Sequence, residues 1–370
     1  MEVAKLNNSK KIQTKKVKEV KLSEKPITSI SKPWLITSLV LVVILIGALL
    51  FDQLYTPNIM TVDGKKYNLK DLSYYFYTVE SRYASYNSMF GGDYWDMPIS
   101  ENGASLRETA KKDAVSESLR ATILYNEAVK QGYKLTAEEQ KTVKTTVDNL
   151  YDKLTKEEIR KNHFTKSYLT KMIEGTTLVS RFRQDKLKEA KIDEAKIKAG
   201  VSYDEFKQYD IEYLYAATQK TDSEGKVTEY SAKDKKAALD KLTSYYDKAK
   251  TTKDWSKVVP TDETAIIYKT SNFIKSDTST FPDDFKAEIM KMKNNDISTV
   301  RQASTGYFIV RMVNNNSSER YDTEVSTAIT TEQNKTFDKI YEEIKKSHPN
   351  KLNDGAIKHL KMGDLTIVSK

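Results

Sequence analysis

The sequence predicts a membrane-anchored α+β protein, in which a mostly helical domain is followed by a small domain of mixed strands and helices. Three observations carry this expectation. Residues 34–51 run for eighteen positions without a charge. Apolar residues between 69 and 198 recur at spacings of three and four, and short strand-like runs flank a helix between 208 and 314.

Over 370 residues, 38% apolar and 10% aromatic side chains suffice for two packed cores. There is no cysteine, which excludes disulfide frameworks, thiolate zinc sites and thiol nucleophiles. The three histidines, His163, His348 and His359, stand far apart and form no HExxH pair, so neither a metal nor a cofactor is expected. The formal charge of +9 is unevenly spread. Residues 1–33 carry nine lysines against three glutamates, a net of +6, which leaves +3 for residues 52–370. The basic excess therefore marks a tail, and no nucleic-acid partner is expected.

Eighteen helical residues at ~1.5 Å each cover most of a ~30 Å hydrocarbon core. The lysine-rich flank puts the N-terminus in the cytoplasm and everything from about residue 52 outside the cell membrane of a bacterium. Phe51, Asp52, Gln53, Leu54 and Tyr55 offer no small-residue cleavage pattern, so the span reads as an uncleaved signal-anchor. The expected organisation is a basic cytoplasmic tail (1–33), a transmembrane helix (34–51), a helical domain (52–200), an α+β domain (201–314) and a C-terminal helix and tail (315–370).

Beyond the span, residues 59–68 read as a strand pair around the turn Asp63-Gly64. Leu69, Leu72, Phe76, Val79, Tyr83, Tyr86 and Phe90 then share one helical stripe, which reads as core. Tyr74, Tyr75 and Tyr77 lie off it and are candidates for lining a cradle. Gly91-Gly92 ends that helix, and a long one spans about 105–131 up to Gly132. Thr136 and Glu139 form a capping box, and Thr155 and Thr165 have the look of further N-caps. In the second domain a buried strand (211–217), a polar loop (218–231), helix (233–250), a helical turn (255–259) and a strand (264–269) lead to the stretch 281–313. There a short helix carries Phe281, Phe285, Ile289 and Met292, a turn follows at Asn294-Asn295-Asp296, and strands at 297–301 and 307–313 flank Gly306. After a turn at Asn314-Asn315-Asn316, a last helix (322–347) presents Ile329, Phe337, Ile340, Tyr341 and Ile344 and stops at Pro349. Residues 365–368 are expected to add an edge strand to the first strand pair.

Residues 59–200 resemble the N-terminal helical domain of the SurA and PrsA group of extracytoplasmic foldases. The resemblance rests on Val62-Asp63-Gly64, the tyrosine-rich first helix, and the pattern Ala121, Leu124, Glu127-Ala128, Gln131-Gly132, Leu135-Thr136, Glu138-Glu139. Residues 208–314 are similar to a parvulin-type peptidyl-prolyl isomerase domain. Here the matching positions are Asp254-Trp255, the helix with Phe281 and Phe285, Asn295-Asp296-Ile297-Ser298-Thr299-Val300, and Gly306-Tyr307-Phe308-Ile309-Val310. By resemblance, the last helix folds back on the helical domain, so the parvulin-like domain is an insertion in a chaperone module.

The resemblance implies a membrane-anchored foldase that assists secreted or envelope polypeptides, with a homodimer left open. A prolyl isomerase breaks no bond; it must favour the twisted amide over a barrier of ~18–20 kcal/mol, using an apolar pocket and a hydrogen-bond donor. The match assigns substrate contacts to Phe281, Phe285 and Phe308 and catalytic positions to Tyr213 and Asp262. Tyr213 and Phe308 stand where the family keeps two histidines, and the Gly-Gly pair before the pocket helix is missing. Each residue also has a plain reading: core for the aromatics, a turn for Asp262. A non-catalytic holdase or scaffold with a degenerate parvulin domain is the alternative.

Overall fold

The computed structural model describes residues 57–368 apart from positions 90, 93, 102, 279 and 280. The expected basic tail and transmembrane helix lie outside the described residues. Among the described residues no helix is long and apolar enough to cross a membrane.

Strands β1 (Asn58–Val62) and β2 (Lys65–Asn68) form the expected hairpin. Val62 pairs with Lys65, so Asp63 and Gly64 alone make the turn, with φ of 51° and 78°. Such a turn needs left-handed backbone twice, which aspartate tolerates and glycine adopts freely. Helices α1 (Leu69–Met89), α2 (Leu106–Lys130), α3 (Ala137–Lys153), α4 (Lys156–Asn162) and α5 (Lys166–Ala190) follow. Their starts are encoded locally. Ser105, Thr136 and Thr155 each accept the N–H three residues on, while Glu108, Glu139 and Glu158 reach back to the cap N–H. Leu72, Phe76 and Val79 of the α1 stripe are buried, but Tyr86 at its far end is 49% exposed.

Short helices α6 (Glu194–Ala199) and α7 (Tyr203–Phe206) lead into the second unit. It contains β3 (Gln208–Ala217), β4 (Gln219–Thr221), β5 (Val227–Glu229), α8 (Ala232–Ser244), α9 (Tyr246–Thr251), β6 (Ile266–Phe273), α10 (Asp283–Ile289), β7 (Arg301–Ala303) and β8 (Gly306–Ser317). Four of these strands form an antiparallel sheet in the order β6-β3-β8-β7, while β4 and β5 pair as a separate hairpin. Mixed helix and sheet is thus the observed class. Three local expectations need correction. The polar loop 218–231 contains that hairpin. Ile297 makes only an isolated bridge to Arg311, and the strand proper is β7. The Asn314-Asn315-Asn316 run extends β8, because the Asn315 side chain donates to the Met292 carbonyl and its N–H meets Asn294, which hold the chain straight.

The sheet is covered on both faces. Along β3, period-two alternation sends Tyr209, Ile211, Tyr213 and Tyr215 to one side and Leu214 and Ala216 to the other. The first side packs against α10, the second against Leu242, Ala249, Trp255 and Val258. Gly306 at the start of β8 has no room for a side chain, since a Cβ there would overlap the Ala216 carbonyl and the Tyr215 ring.

The chain then returns to the helical unit through α11 (Glu319–Lys346), β9 (Asn350–Leu352) and α12 (Asp354–Lys358). Phe337 and Tyr341 of α11 join the core of α1 and α2, with the Arg120 and Arg183 guanidiniums over the Phe337 ring at 5.4 and 5.3 Å. On α11, Thr323, Thr327 and Thr331 donate to carbonyls four residues back. The third strand beside β1 is β9, not the expected 365–368 run. Pro349 accounts for this: it ends the helix, and its carbonyl accepts the Asp63 N–H at 2.8 Å, which aligns the next residues with β1.

Residues 363–367 instead wrap a buried carboxylate. Glu80, in α1 with no solvent exposure, accepts N–H groups from Gly363, Leu365 (2.9 Å), Thr366 (2.6 Å) and Ile367 (3.2 Å), together with the Thr366 hydroxyl. A second tie is His348, which is 5% exposed. Its Nδ1 lies 2.7 Å from Asp63 and its Nε2 3.0 Å from Glu127 of α2. Burial works to raise the Asp63 carboxyl, but hydrogen bonds from His348 and Asn126 outweigh it and leave it below the ordinary value. Glu127 is likewise lowered: burial opposes, and Gln131, His348 and Lys130 prevail.

Replacing Glu80 by alanine would leave four backbone N–H groups without their acceptor. A loss of at least about 3 kcal/mol is expected, measured by urea unfolding. Asp63 and Glu127 titrate lower folded than unfolded, so their contribution is complete above the unfolded values near ~4 and is lost as pH falls through the folded ones. Urea midpoints should therefore drop on acidification below about pH 4. The variant Glu127→Gln should flatten that part of the profile.

Candidate functional site

Four of the five residues marked in the sequence meet on one face of the β6-β3-β8-β7 sheet. Tyr213 comes from β3, Phe308 from β8, Phe285 from α10, and Phe281 from the turn before it. Tyr213 sits opposite Val310, and Phe308 opposite Tyr215, so the pleat alone turns both rings toward α10. Ring centroids lie 5.1 Å apart for Phe281–Phe308, 5.3 Å for Phe281–Phe285, 5.6 Å for Tyr213–Phe308 and 6.1 Å for Tyr213–Phe281. Three of these contacts are edge-on or tilted at 78° or more, the arrangement aromatic rings favour in a packed core.

The cluster is filled by its own rings. Phe281 is 7% exposed, Phe285 1% and Phe308 3%. Arg301 lies 5.3 Å over Phe285 and is held there by Asp284 at 2.6 Å. Tyr213 is half-buried, and burial, with Tyr215 adding to it, raises its phenol above the ordinary value. Among the described residues its hydroxyl forms no hydrogen bond, whereas that of Tyr215 donates to the Thr305 carbonyl at 2.7 Å.

Asp262 is not brought to this cluster. It is exposed in the turn from Pro260 to Glu263 that leads into β6. Its neighbour Glu263 is bound by Lys241 at 2.9 Å, and Lys241 and the Ala265 N–H hold that carboxyl at about 2. Glu263 also meets the hydroxyl of Tyr245, which packs on the opposite face of the sheet. Among the described residues no group of histidine, aspartate and glutamate has the arrangement of a metal site. At His348 the reason is visible, because the two carboxylates lie on opposite ring nitrogens.

A second candidate lies in the helical unit. A cavity of about 140 Å³ opens between β2, α1, α2 and α5, walled by Tyr67, Tyr75, Tyr125 and Tyr168. Leu72, Met172 and Gly175 supply apolar wall, and Lys65 and Lys171 also line it. Of the three off-stripe tyrosines, Tyr75 does line this space. Tyr74 and Tyr77 pack instead around Phe164 and Tyr168, with the Tyr77 hydroxyl donating to Glu158 at 2.9 Å. The other three tyrosines and Gly175 escaped sequence reasoning because they come from three separate elements. One signal was present: Gly175 sits in the middle of α5, where glycine costs a helix roughly 1 kcal/mol against alanine.

No protein-family model matches the chain, and no curated protein matches it. Solved structures similar to it include PrsA foldases and SurA-like chaperones. The foldase protein PrsA of Lactococcus lactis is 17% identical with a TM-score of 0.32, covering 81% of this chain and 96% of that one. PrsA of Streptococcus pneumoniae is also 17% identical, with a TM-score of 0.30 over 70% and 96%. A SurA-like chaperone structure from Campylobacter jejuni is 10% identical, with a TM-score of 0.30 over 80% and 98%. TM-scores of this size leave the functional reading to the chain's own geometry.

The packing around Phe285 predicts a structural role for it. Phe285→Ala should destabilise the β6-β3-β8-β7 unit by about 3–5 kcal/mol, read as a lowered thermal midpoint by near-ultraviolet circular dichroism.

Proposed function

We propose that the protein is an extracytoplasmic foldase of the PrsA and SurA type that works as a holdase for unfolded secreted or envelope polypeptides. In this reading residues 34–51 anchor it in the cell membrane, with the basic tail on the cytoplasmic side. The helical unit binds clients, and the parvulin-like unit is a companion module without strong isomerase activity. The observation that carries the reading is the contrast between the two candidate sites. Isomerisation needs space for a proline ring beside a donor, and the aromatic cluster spends that space on Phe281 and Phe308. The helical unit keeps an open, tyrosine-walled space.

A second reading, active isomerase, is favoured by one feature. The Tyr213 hydroxyl stands at the edge of the cluster with no partner among the described residues, which is how a donor for a twisted amide would be held.

Two assays on the full chain in nanodiscs separate these readings. Light scattering should show that stoichiometric protein suppresses aggregation of a chemically unfolded client, and absence of suppression would sink the holdase reading. A protease-coupled proline assay should give the buffer rate even at high protein concentration. A rate above buffer that disappears in Tyr213→Phe would establish the isomerase reading instead.

A further inference from the structure

The tyrosine-walled cavity has a more specific chemistry than a general apolar surface. Its volume of about 140 Å³ is close to the roughly 150 Å³ of an engineered cavity that takes one benzene ring, so it fits a single side-chain ring. The rings of Tyr67, Tyr75, Tyr125 and Tyr168 line this one space, and burial, with the neighbouring phenols adding to it, pushes the Tyr75 phenol far above the ordinary value.

Their hydrogen bonding is unequal. The Tyr168 hydroxyl is engaged by the Tyr74 N–H at 3.0 Å and by Ser73 at 3.1 Å, and it donates to the Asp71 carbonyl at 3.2 Å. Thr122 donates to the Ser118 carbonyl. The hydroxyls of Tyr75 and Tyr125 form no hydrogen bond among the described residues, although both residues line the cavity, and Tyr125 is 39% exposed. The lining carboxylate, Asp71, accepts the Asn68 N–H at 3.0 Å. Lys65 and Lys171 add cationic donors. The cavity therefore offers free donors around an apolar floor.

Gly175 is explained by the same space. Its backbone is ordinary helix, and an added Cβ would meet the Tyr125 ring at 3.5 Å, an ordinary contact. Neither backbone nor packing demands glycine there. What glycine provides is room beside Tyr125.

We propose that this cavity binds a proline ring of a client chain, with the carbonyl preceding the proline accepting from Tyr75 or Tyr125. The donor balance selects it. Proline is the one residue whose backbone brings an acceptor and no N–H, so it buries no unsatisfied donor in a site that has donors to spare. Its flat apolar ring suits aromatic walls, the basis of proline recognition in polyproline II grooves. An aromatic residue of similar size would be preceded by the same carbonyl but would bring a backbone N–H to bury with it. This inference rests on the polypeptide-binding reading above and assigns proline recognition to the helical unit, away from the aromatic cluster.

The test uses the full chain in nanodiscs and three labelled peptides that differ only at a central proline, alanine or phenylalanine, titrated by fluorescence anisotropy. The proline peptide should bind about tenfold more tightly than the alanine peptide. Tyr75→Phe, which removes one hydroxyl and keeps the ring, should cost about fivefold for the proline peptide only. Gly175→Leu, which fills the space, should reduce the proline peptide to the alanine level, with circular dichroism confirming the fold. Equal affinities for proline and alanine peptides, tightest binding by the phenylalanine peptide, or indifference to both substitutions would each overturn the proposal. Unfolded client titrated alongside keeps the two readings apart. Client binding without proline preference rejects the pocket alone, and loss of client binding rejects the holdase.

Discussion

A carboxylate with no solvent exposure is tolerable only when every lone pair is answered, and Glu80 is answered by the last turn of the described chain. Four backbone N–H groups and a hydroxyl from 363–367 converge on it, while Lys161 and Asn162 at the end of α4 bind the carbonyls of Ile367 and Thr366. Removing the tail would strand a buried charge, and removing the charge would strand the tail's N–H groups. The same closure recurs at His348, which has a carboxylate beside each ring nitrogen, and at β9, which completes the sheet begun by β1. The first and last described segments thus belong to one packed body, and the β6-β3-β8-β7 unit lies between them in sequence.

That unit is layered helix, sheet, helix, and its two faces are stabilised differently. One buries aromatic rings against α10. The other buries Trp255 and Leu242, with a Glu212–Arg311 ion pair beneath them, Tyr268 donating to Glu212 at 2.8 Å and Arg311 lying 5.0 Å from the Trp255 ring. A sheet packed on both faces leaves little freedom to open a ligand space without unpacking a core. The helical unit differs, because its tyrosines meet from β2 and three separate helices and Gly175 leaves room beside Tyr125.

What could be read from the sequence was what is encoded locally. Caps at Thr136, Thr155 and Thr165, the Asp63-Gly64 turn and the stop at Pro349 each depend on residues within one turn of chain, and all are where the pattern put them. The buried strand at 211–217 and the helical spacing of Phe281 and Phe285 were also legible, whereas Tyr213, Phe281, Phe285 and Phe308 were grouped by the family resemblance, and the structure packs the four on one face of the sheet. Long-range pairing was not legible. Nothing in Asn350–Leu352 marks it as a partner of β1, while Leu365-Thr366-Ile367-Val368 looks more like a strand than it does. The tail lost that contest because Glu80 needed its N–H groups, a demand visible only once α1 and the tail are adjacent. Asp262 was matched by position in a pattern, and the turn that holds it leads away from the aromatic face.

The threonine ladder of α11 bears on the order of assembly. Three β-branched residues at four-residue intervals, each bonding its own backbone, weaken a helix that has no partner. Docking of Phe337 and Tyr341 must then supply most of what holds α11 in shape. A chain emerging from its N-terminus would first form the helices written by local caps, with the edge of β1 unpaired and Glu80 uncovered. Only the final fifty or so described residues, arriving together, can close that body, so a nascent chain halted before they emerge would remain an open form of the helical unit.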